Sequence, residues 1–198
     1  MSYPYRALLI FGAPGSGKGT QGKVLGGLPG FFHCACGDVF RALDKDSALG
    51  KKSAEYASKG QLVPDDLTVD LWKNQIQTWI KQGDYNPEKE VLILDGIPRN
   101  VEQAKIMQDL VDVLGVIHLS CPNRDELVER MSKRAIRENR MDDADPEVIW
   151  HRIKTYEAET RPILDFYSSD LILDINATQA PLRVLGDITA SVDKLLSE

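Results

Sequence analysis

The chain is predicted to fold as an α/β protein, a five-stranded parallel sheet with helices on both faces, and three observations carry that prediction. Short apolar runs alternate with longer stretches of helical period, which is the order expected of a parallel sheet crossed over by helices. None of the apolar runs alternates strictly with polar residues, so the strands are expected to be covered on both sides. The first run, Ala7-Leu8-Leu9-Ile10-Phe11, passes straight into a glycine-rich loop and then a helical segment.

Taken in order, the first strand is expected over 6–11 and its helix over 18–26. A second strand over 31–35 is followed by two short helices, 38–44 and 48–58, closed by Gly60-Gln61-Leu62-Val63-Pro64. A long helix over 65–82 leads to the third strand, 90–94, and a helix over 101–114 to the fourth, 116–119. Asn123 is placed to cap a helix over 125–137, and Asp145-Pro146 reads as N-cap followed by proline at the first helical position of a helix over 146–168. Pro162 lies inside the apolar pattern Ile149, Ile153, Tyr156, Ile163, Tyr167, so that helix is expected to kink there. A strand over 171–175 and a helix over 181–196 complete the chain. No repeat or composition break marks a second domain. Two stretches, 37–64 and 134–143, fit the sheet poorly and are expected to be small inserts over the ligand edge.

Composition narrows the class. Apolar residues make up 42% and charged residues 27% of the 198, as in an ordinary water-soluble globule. A net charge of −6 argues against sequence-independent nucleic-acid binding, which needs net positive surface. Positive charge is instead clustered over 124–140, which points to a local anion site. The three cysteines, Cys34, Cys36 and Cys121, form no Cys-x-x-Cys pair; this fits a reducing compartment and supplies no zinc framework. No leader and no membrane span are expected, so the cytoplasm is the expected compartment, with no membrane partner.

The chemistry starts at Gly12-Ala13-Pro14-Gly15-Ser16-Gly17-Lys18-Gly19-Thr20-Gln21. Glycine-x4-glycine-lysine between a strand and a helix is a phosphate cradle: backbone N–H groups and the positive helix N-terminus hold phosphate oxygens, and Lys18 adds a mobile charge. Arginine is the other recurrent theme. Its planar fork donates bidentately to phosphate and keeps its charge at every physiological pH. Arg130, Arg134 and Arg137 fall at i, i+4 and i+7, on one helical face. Asp95 ends the strand Val91-Leu92-Ile93-Leu94 and is either a turn former or a magnesium anchor. Magnesium keeps several waters, so such an anchor acts through one of them.

Gly19 stands where a Walker-type loop usually has Ser or Thr, and Thr20 follows it. That variant, with Gly37-Asp38-Val39-Phe40-Arg41, Gly60-Gln61-Leu62-Val63-Pro64-Asp65, Asp95-Gly96-Ile97-Pro98-Arg99 and Arg130-x3-Arg134-x5-Arg140-x-Asp142-Asp143 before Arg152, resembles the nucleoside monophosphate kinases and, within them, the adenylate kinase family. The resemblance spans residues 6 to about 180 and implies a P-loop NTPase fold. It divides the domain into a core (1–35, 66–132, 144–198), a monophosphate-binding insert (36–65) and a short lid (133–143).

The resemblance also implies the roles. Gly15, Ser16, Gly17, Lys18, Gly19, Thr20, Arg130, Arg134 and Gln179 would contact ATP, Arg130 packing on its base and Gln179 reading it through the backbone. Cys36, Arg41, Gln61, Leu62, Val63, Gly96, Ile97, Pro98, Arg99 and Gln103 would hold AMP, with Arg140 and Arg152 clamping the phosphates of both nucleotides. Lys18, Arg99, Arg134, Arg140 and Arg152 would form the catalytic set, and Asp95 with Thr20 would hold magnesium, through water. Arg137 has no counterpart and is expected to face solvent. Asp142 and Asp143 either orient the neighbouring arginines or cap the next helix, and His33, His118 and His151 are expected to be structural or surface residues.

Base choice rests on Gln103, four residues after Arg99. An amide pairs bidentately with adenine's donor–acceptor edge, whereas similar UMP and CMP kinases tend to carry Asn there. Some residues depart from the family pattern. Cys36 stands where a threonine is usual and either softens adenine selectivity or fills the same volume; Ile97 replaces an aromatic. The lid is too short for the four-cysteine zinc site of longer relatives, so no zinc is expected. The sequence therefore predicts an adenylate kinase activity, direct transfer from ATP to AMP giving two ADP with magnesium, by a monomer. A UMP/CMP kinase is the alternative. A regulatory GTPase lacks support because no Asn-Lys-x-Asp is present, and a binding-only protein would have no use for the assembled arginines.

Overall fold

The computed structural model describes residues 4–138 and 145–197. A five-stranded, wholly parallel sheet runs in the order β2-β3-β1-β4-β5. Its strands are β1 (Tyr5–Gly12), β2 (Phe31–Ala35), β3 (Val91–Asp95), β4 (Val111–Ser120) and β5 (Ile172–Asn176). The helices are α1 (Lys18–Leu25), α2 (Cys36–Arg41), α3 (Ala48–Ser58), α4 (Asp65–Gln82), α5 (Val101–Met107), α6 (Arg124–Glu138), α7 (Pro146–Thr155) and α8 (Pro181–Ser197).

Both faces of the sheet are buried, and the strand period of two sorts side chains between them. Ala7, Leu9, Phe11, Leu92 and Leu94 join Trp72 and Ile76 of α4 and Met107 of α5 in one core. Leu8, Ile10, Ile93, Ile117 and Leu119 point the other way, onto Val184, Ile188 and Val192 of α8. A third cluster, Leu127 and Met131 with Ile149 and Ile153, joins α6 to α7 beside Ala13.

Register fixes where the site forms. Ile10 of β1 and Ala35 of β2 both lie level with Asp95 of β3. The loop after Gly12, the start of α2 and the Asp95-Gly96 turn therefore emerge together from one sheet edge. Between β1 and β3 the chain's winding changes direction, and open α/β sheets bind ligands at that crevice.

The structure departs from the sequence expectation in three places. Helix α5 stops at Met107 and β4 begins at Val111, where a helix to 114 and a strand from 116 are expected. Tertiary pairing overrides local period there: β4 runs beside β1 from Tyr5↔Val111 to Gly12↔Leu119, with a register shift between Ala7 and Leu8. Gly115, opposite Leu8 just after that shift, leaves room for α8, since a Cβ would lie 2.4 Å from Leu195 Cδ2. The segment around Pro162 does not simply kink. Helix α7 opens into a π turn over Tyr156–Thr160 and then a 3-10 turn over Arg161–Asp165. Pro162 has no N–H and its ring crowds the carbonyl four residues earlier, so the α ladder is interrupted just upstream. Helix α2 begins two residues earlier than expected and ends sooner, at Arg41.

Candidate active site

The glycine loop between β1 and α1 is held open by its backbone. Gly12, Gly15 and Gly17 have φ of 150°, 87° and 101°. At two of them no side chain would fit: a Cβ on Gly12 would meet Ser16 Oγ at 2.5 Å, and one on Gly15 would meet the Leu127 carbonyl at 2.7 Å. Gly17 in the left-handed region then starts α1 with no side-chain cap, so the first N–H groups of the helix face the loop. Ser16 is 3% exposed and its Oγ has no hydrogen-bond partner among the described residues. A buried hydroxyl of this kind costs free energy until an acceptor or donor arrives, and a phosphate oxygen at the loop would be one.

Lys18 bends back over the loop. Its ammonium donates to the Gly12 carbonyl at 2.6 Å and the Ala13 carbonyl at 3.2 Å. Burial pulls its pKa down to about 8; Asp95 acts against that, and Arg134, Arg99 and Arg152 each lower it further. Those three arginines come from α6, from the turn after β3 and from α7. They are far apart in sequence, yet all are close enough to Lys18 to be felt.

These groups line one cleft of about 1670 Å³. Its walls bring together the loop residues Gly15, Ser16, Gly17, Lys18, Gly19 and Thr20 with Arg41, Gln61, Leu62, Val63, Asp95, Gly96, Pro98, Arg99, Gln103, Arg130, Arg134, Arg152 and Gln179. A volume of this size exceeds the 300–1,000 Å³ usual for a single small molecule. Arg99 is braced by its Nε, which donates to the Gly96 carbonyl at 2.9 Å. Arg41 pairs with Asp38 at 2.5 Å. Arg130 donates to the Ala177 carbonyl at 3.0 Å and pairs with Glu126, so its plane is fixed beside the loop after β5. In that loop the Gln179 side chain donates to Asp187 at 2.7 Å. Arg137, expected to face solvent, is exposed and donates to Glu138 at 2.9 Å, but it also stands on the cleft wall beside Arg134.

Two of the residues expected at the AMP site do not line the cleft. Cys36 is 2% exposed and Ile97 0% exposed, and both belong to the core under α4. Cys36 therefore fills volume beneath the cleft, with its thiol pKa raised to about 11 by burial. Ile97 does the same beside the cis Ile97–Pro98 bond. Arg140, Asp142 and Asp143 lie outside the described residues.

Gln103 is buried at the cleft wall, 1% exposed, instead of lying on an exposed helix face. Its Oε1 accepts from the Arg99 backbone N–H at 2.8 Å, and its Nε2 donates to Asp65 Oδ1 at 2.7 Å. Asn100 caps α5 by accepting from the Gln103 N–H at 2.8 Å. The sequence signal for this was present, since Asn100-x-x-Gln103 has the spacing of a capping box. The side-chain bonds of Asp65, although it closes the motif 60–65, and of Thr160 do not follow from the sequence. Thr160 Oγ donates to the Arg99 carbonyl at 2.6 Å from the π turn, and nothing in the local sequence announces that turn.

For a magnesium ion, the residues present have the right chemistry. Asp95 supplies a carboxylate at the cleft floor, so near the start of α1 that a Cβ on Gly19 would lie 3.5 Å from its Oδ2, and Thr20 adds a hydroxyl. Few, hard oxygen donors suit a cation that keeps most of its waters and binds chiefly to phosphate.

A parallel sheet with a lysine-bearing glycine loop at its switch point and arginines converging on that lysine defines a P-loop phosphotransferase. The family model described as adenylate kinase matches residues 10–172. An adenylate kinase of Cyanothece sp. is 37% identical over 198 residues, covering 96% of this chain and 97% of the relative. One from Bacteroides thetaiotaomicron is 34% identical over 195 residues, covering 95% and 98%. An "Adenylate kinase 1" of Nostoc sp. is 34% identical over 187 residues, covering 93% and 97%. The chain belongs to the adenylate kinase family.

Proposed function

We propose that the protein transfers the terminal phosphoryl group of ATP directly to AMP, giving two ADP. The observation that carries this is the convergence on Lys18: Asp95 and Arg99 at and just after the end of β3, Arg134 of α6 and Arg152 of α7 all bear on one ammonium in a cleft large enough for two nucleotides.

ATP is proposed to lie with its phosphates on the loop 15–20 and its base between Arg130 and the loop that carries Gln179. AMP enters under the insert 36–65, with its phosphate between Arg41 and Arg99 and its base at Gln61-Leu62-Val63 and Gln103. An anionic oxygen of the AMP phosphate attacks the γ-phosphorus while the bond to the β,γ-bridging oxygen breaks, and ADP leaves with that oxygen's charge. The acceptor is already ionised, so no general base is required. Lys18 moves from the Gly12 carbonyl onto phosphate oxygens, and Arg99, Arg134, Arg140 and Arg152 stabilise the charge spread over the moving group. Magnesium, held by Asp95 and Thr20 through water, supplies further neutralisation of the phosphates when bound. Closure of the insert 36–65 and the lid 133–143 excludes water, which would otherwise accept the phosphoryl group.

We assign the enzyme to the cytoplasm as a monomer. The buried, unpaired thiols of Cys34 and Cys36 suit a reducing compartment, and among the described residues no helix is long and apolar enough to cross a membrane. A coupled assay with ATP and AMP, CMP or UMP tests the function. Preference for AMP is expected; preference for CMP or UMP would overturn it in favour of a pyrimidine nucleotide kinase.

A further inference from the structure

The base-reading amide of Gln103 is not free to choose its orientation. A glutamine amide can usually be turned by half a rotation, exchanging oxygen and nitrogen, at little cost. Here both ends are committed. The oxygen faces a donor, the Arg99 backbone N–H at 2.8 Å, and the nitrogen faces an acceptor, Asp65 Oδ1 at 2.7 Å. Turned over, the amide would set its oxygen against a carboxylate and its N–H₂ against an N–H, losing two hydrogen bonds in a site that is 1% exposed. Asp65 is itself held in place. The same Oδ1 accepts from Asn100 Nδ2 at 2.8 Å, and Asn100 is the cap of α5. Asp65 also opens α4, where the helix N-terminus favours a negative charge.

We propose that Asp65 is a specificity-determining positioning residue: it fixes the donor–acceptor sense of the Gln103 amide and so makes the monophosphate site accept a 6-amino purine and reject a 6-oxo purine. After its two protein bonds the amide retains one N–H and one oxygen lone pair. In a single fixed sense those match the amino donor and ring-nitrogen acceptor of adenine. Hypoxanthine replaces the amino donor with an oxo acceptor, which the fixed amide cannot satisfy. A site that leaves a buried polar group unpaired discriminates strongly. Releasing the nitrogen end lets the amide turn and removes much of that penalty. Because Asp65 belongs to α4 and Gln103 to α5, the same contact ties the end of the insert 36–65 to the base-reading wall. The inference rests on the adenylate kinase reading of the site.

The test compares kcat/KM for AMP and for IMP, with ATP as donor, in the wild type, Asp65→Ala, Gln103→Ala and the double variant. Asp65→Ala is expected to lower the AMP-over-IMP ratio about tenfold or more, as for loss of one discriminating contact, while KM for ATP stays within about twofold. In the Gln103→Ala background the same substitution is expected to leave the ratio unchanged, because Asp65 acts through that amide. Asp65→Asn keeps an acceptor oxygen and is expected to restore most of the ratio; should Asp65→Ala fail to fold, Asp65→Ser, whose short hydroxyl cannot span both amides, takes its place. A ratio unchanged by Asp65→Ala, or an equal fall with and without Gln103, overturns the proposal. A merely structural Asp65 would shift Tm and both substrates' KM together and leave the ratio alone. A wild type that prefers CMP would overturn the parent reading, whereas one that prefers AMP with an unmoved ratio overturns this inference by itself.

Discussion

The ammonium of Lys18 donates to the carbonyl of Gly12 at 2.6 Å, so the loop's own cation rests on the loop's own backbone. If Lys18 serves the proposed phosphates it must leave that carbonyl, so a change of partner is expected on nucleotide binding.

This exchange has a pH signature. Burial holds the Lys18 pKa at about 8, below the ordinary 10.5, with Arg134, Arg99 and Arg152 adding to the depression. Phosphate favours the charged form and raises the pKa again. Between about pH 8 and pH 10.5 the complex thus holds more protons than the free enzyme, and ATP affinity is expected to fall as pH rises through that window. Calorimetry at about pH 9 in buffers of different ionisation enthalpy should report uptake approaching one proton per ATP, absent in Lys18→Met. The same lysine makes the free enzyme gain stability over that window, since the unfolded chain there binds the proton that the folded one has lost. Proton release on binding would contradict this account.

Arg99 is assigned to the reacting phosphates, and its Nε bond to Gly96 is a minor part of the fold. Arg99→Ala is expected to lower kcat by roughly 10²–10³, the scale for loss of one preorganised charge donor, with a stability loss of only about 1 kcal/mol. Steady-state rates and a thermal melt check both; near-normal turnover would refute the role.

The packing of α1 on β2 is expected to be unforgiving. A Cβ on Gly26 would lie 2.6 Å from the His33 backbone nitrogen and 2.4 Å from His33 Cβ. Backbone cannot swing aside, so Gly26→Ala should cost about 1–3 kcal/mol and, because α1 begins at Lys18, raise KM for ATP as well. An unchanged Tm would show that α1 is not seated as described.

Thiol chemistry should separate the three cysteines. Burial raises the pKa of Cys34 far above its ordinary value and that of Cys36 to about 11, whereas Cys121 is only partly buried and less perturbed. At about pH 8 iodoacetamide should label Cys121 first, with Cys34 and Cys36 reacting only on unfolding, since the thiolate is the nucleophile. Mass spectrometry of the native protein reads this directly. Early labelling of Cys36 would place its side chain in the cleft after all.

Much of the site is legible in the sequence because its parts are local. The glycines that permit positive φ, the lysine and the residue ending each strand all occupy fixed offsets from an apolar run, so β1, β2, β3 and the loop between them follow from pattern alone. What escaped is non-local. The start of β4 at Val111 is decided by its pairing with Tyr5, against a local helical period. The inward turn of Cys36 is decided by the register of β2 on β3, and the bond from Thr160 to Arg99 by a π turn that forms only because Pro162 breaks the ladder. Asp65 closes a motif legible in the sequence, but only the fold brings its carboxylate against an amide 38 positions away.

One cleft is expected to hold donor and acceptor nucleotides together and to pass the phosphoryl group between them without an intermediate. Initial rates measured across a grid of ATP and AMP concentrations test it most directly. Intersecting double-reciprocal lines, with ADP formed two for each AMP consumed, are the expected result. Parallel lines, which signal a phosphorylated enzyme between two half-reactions, would contradict it.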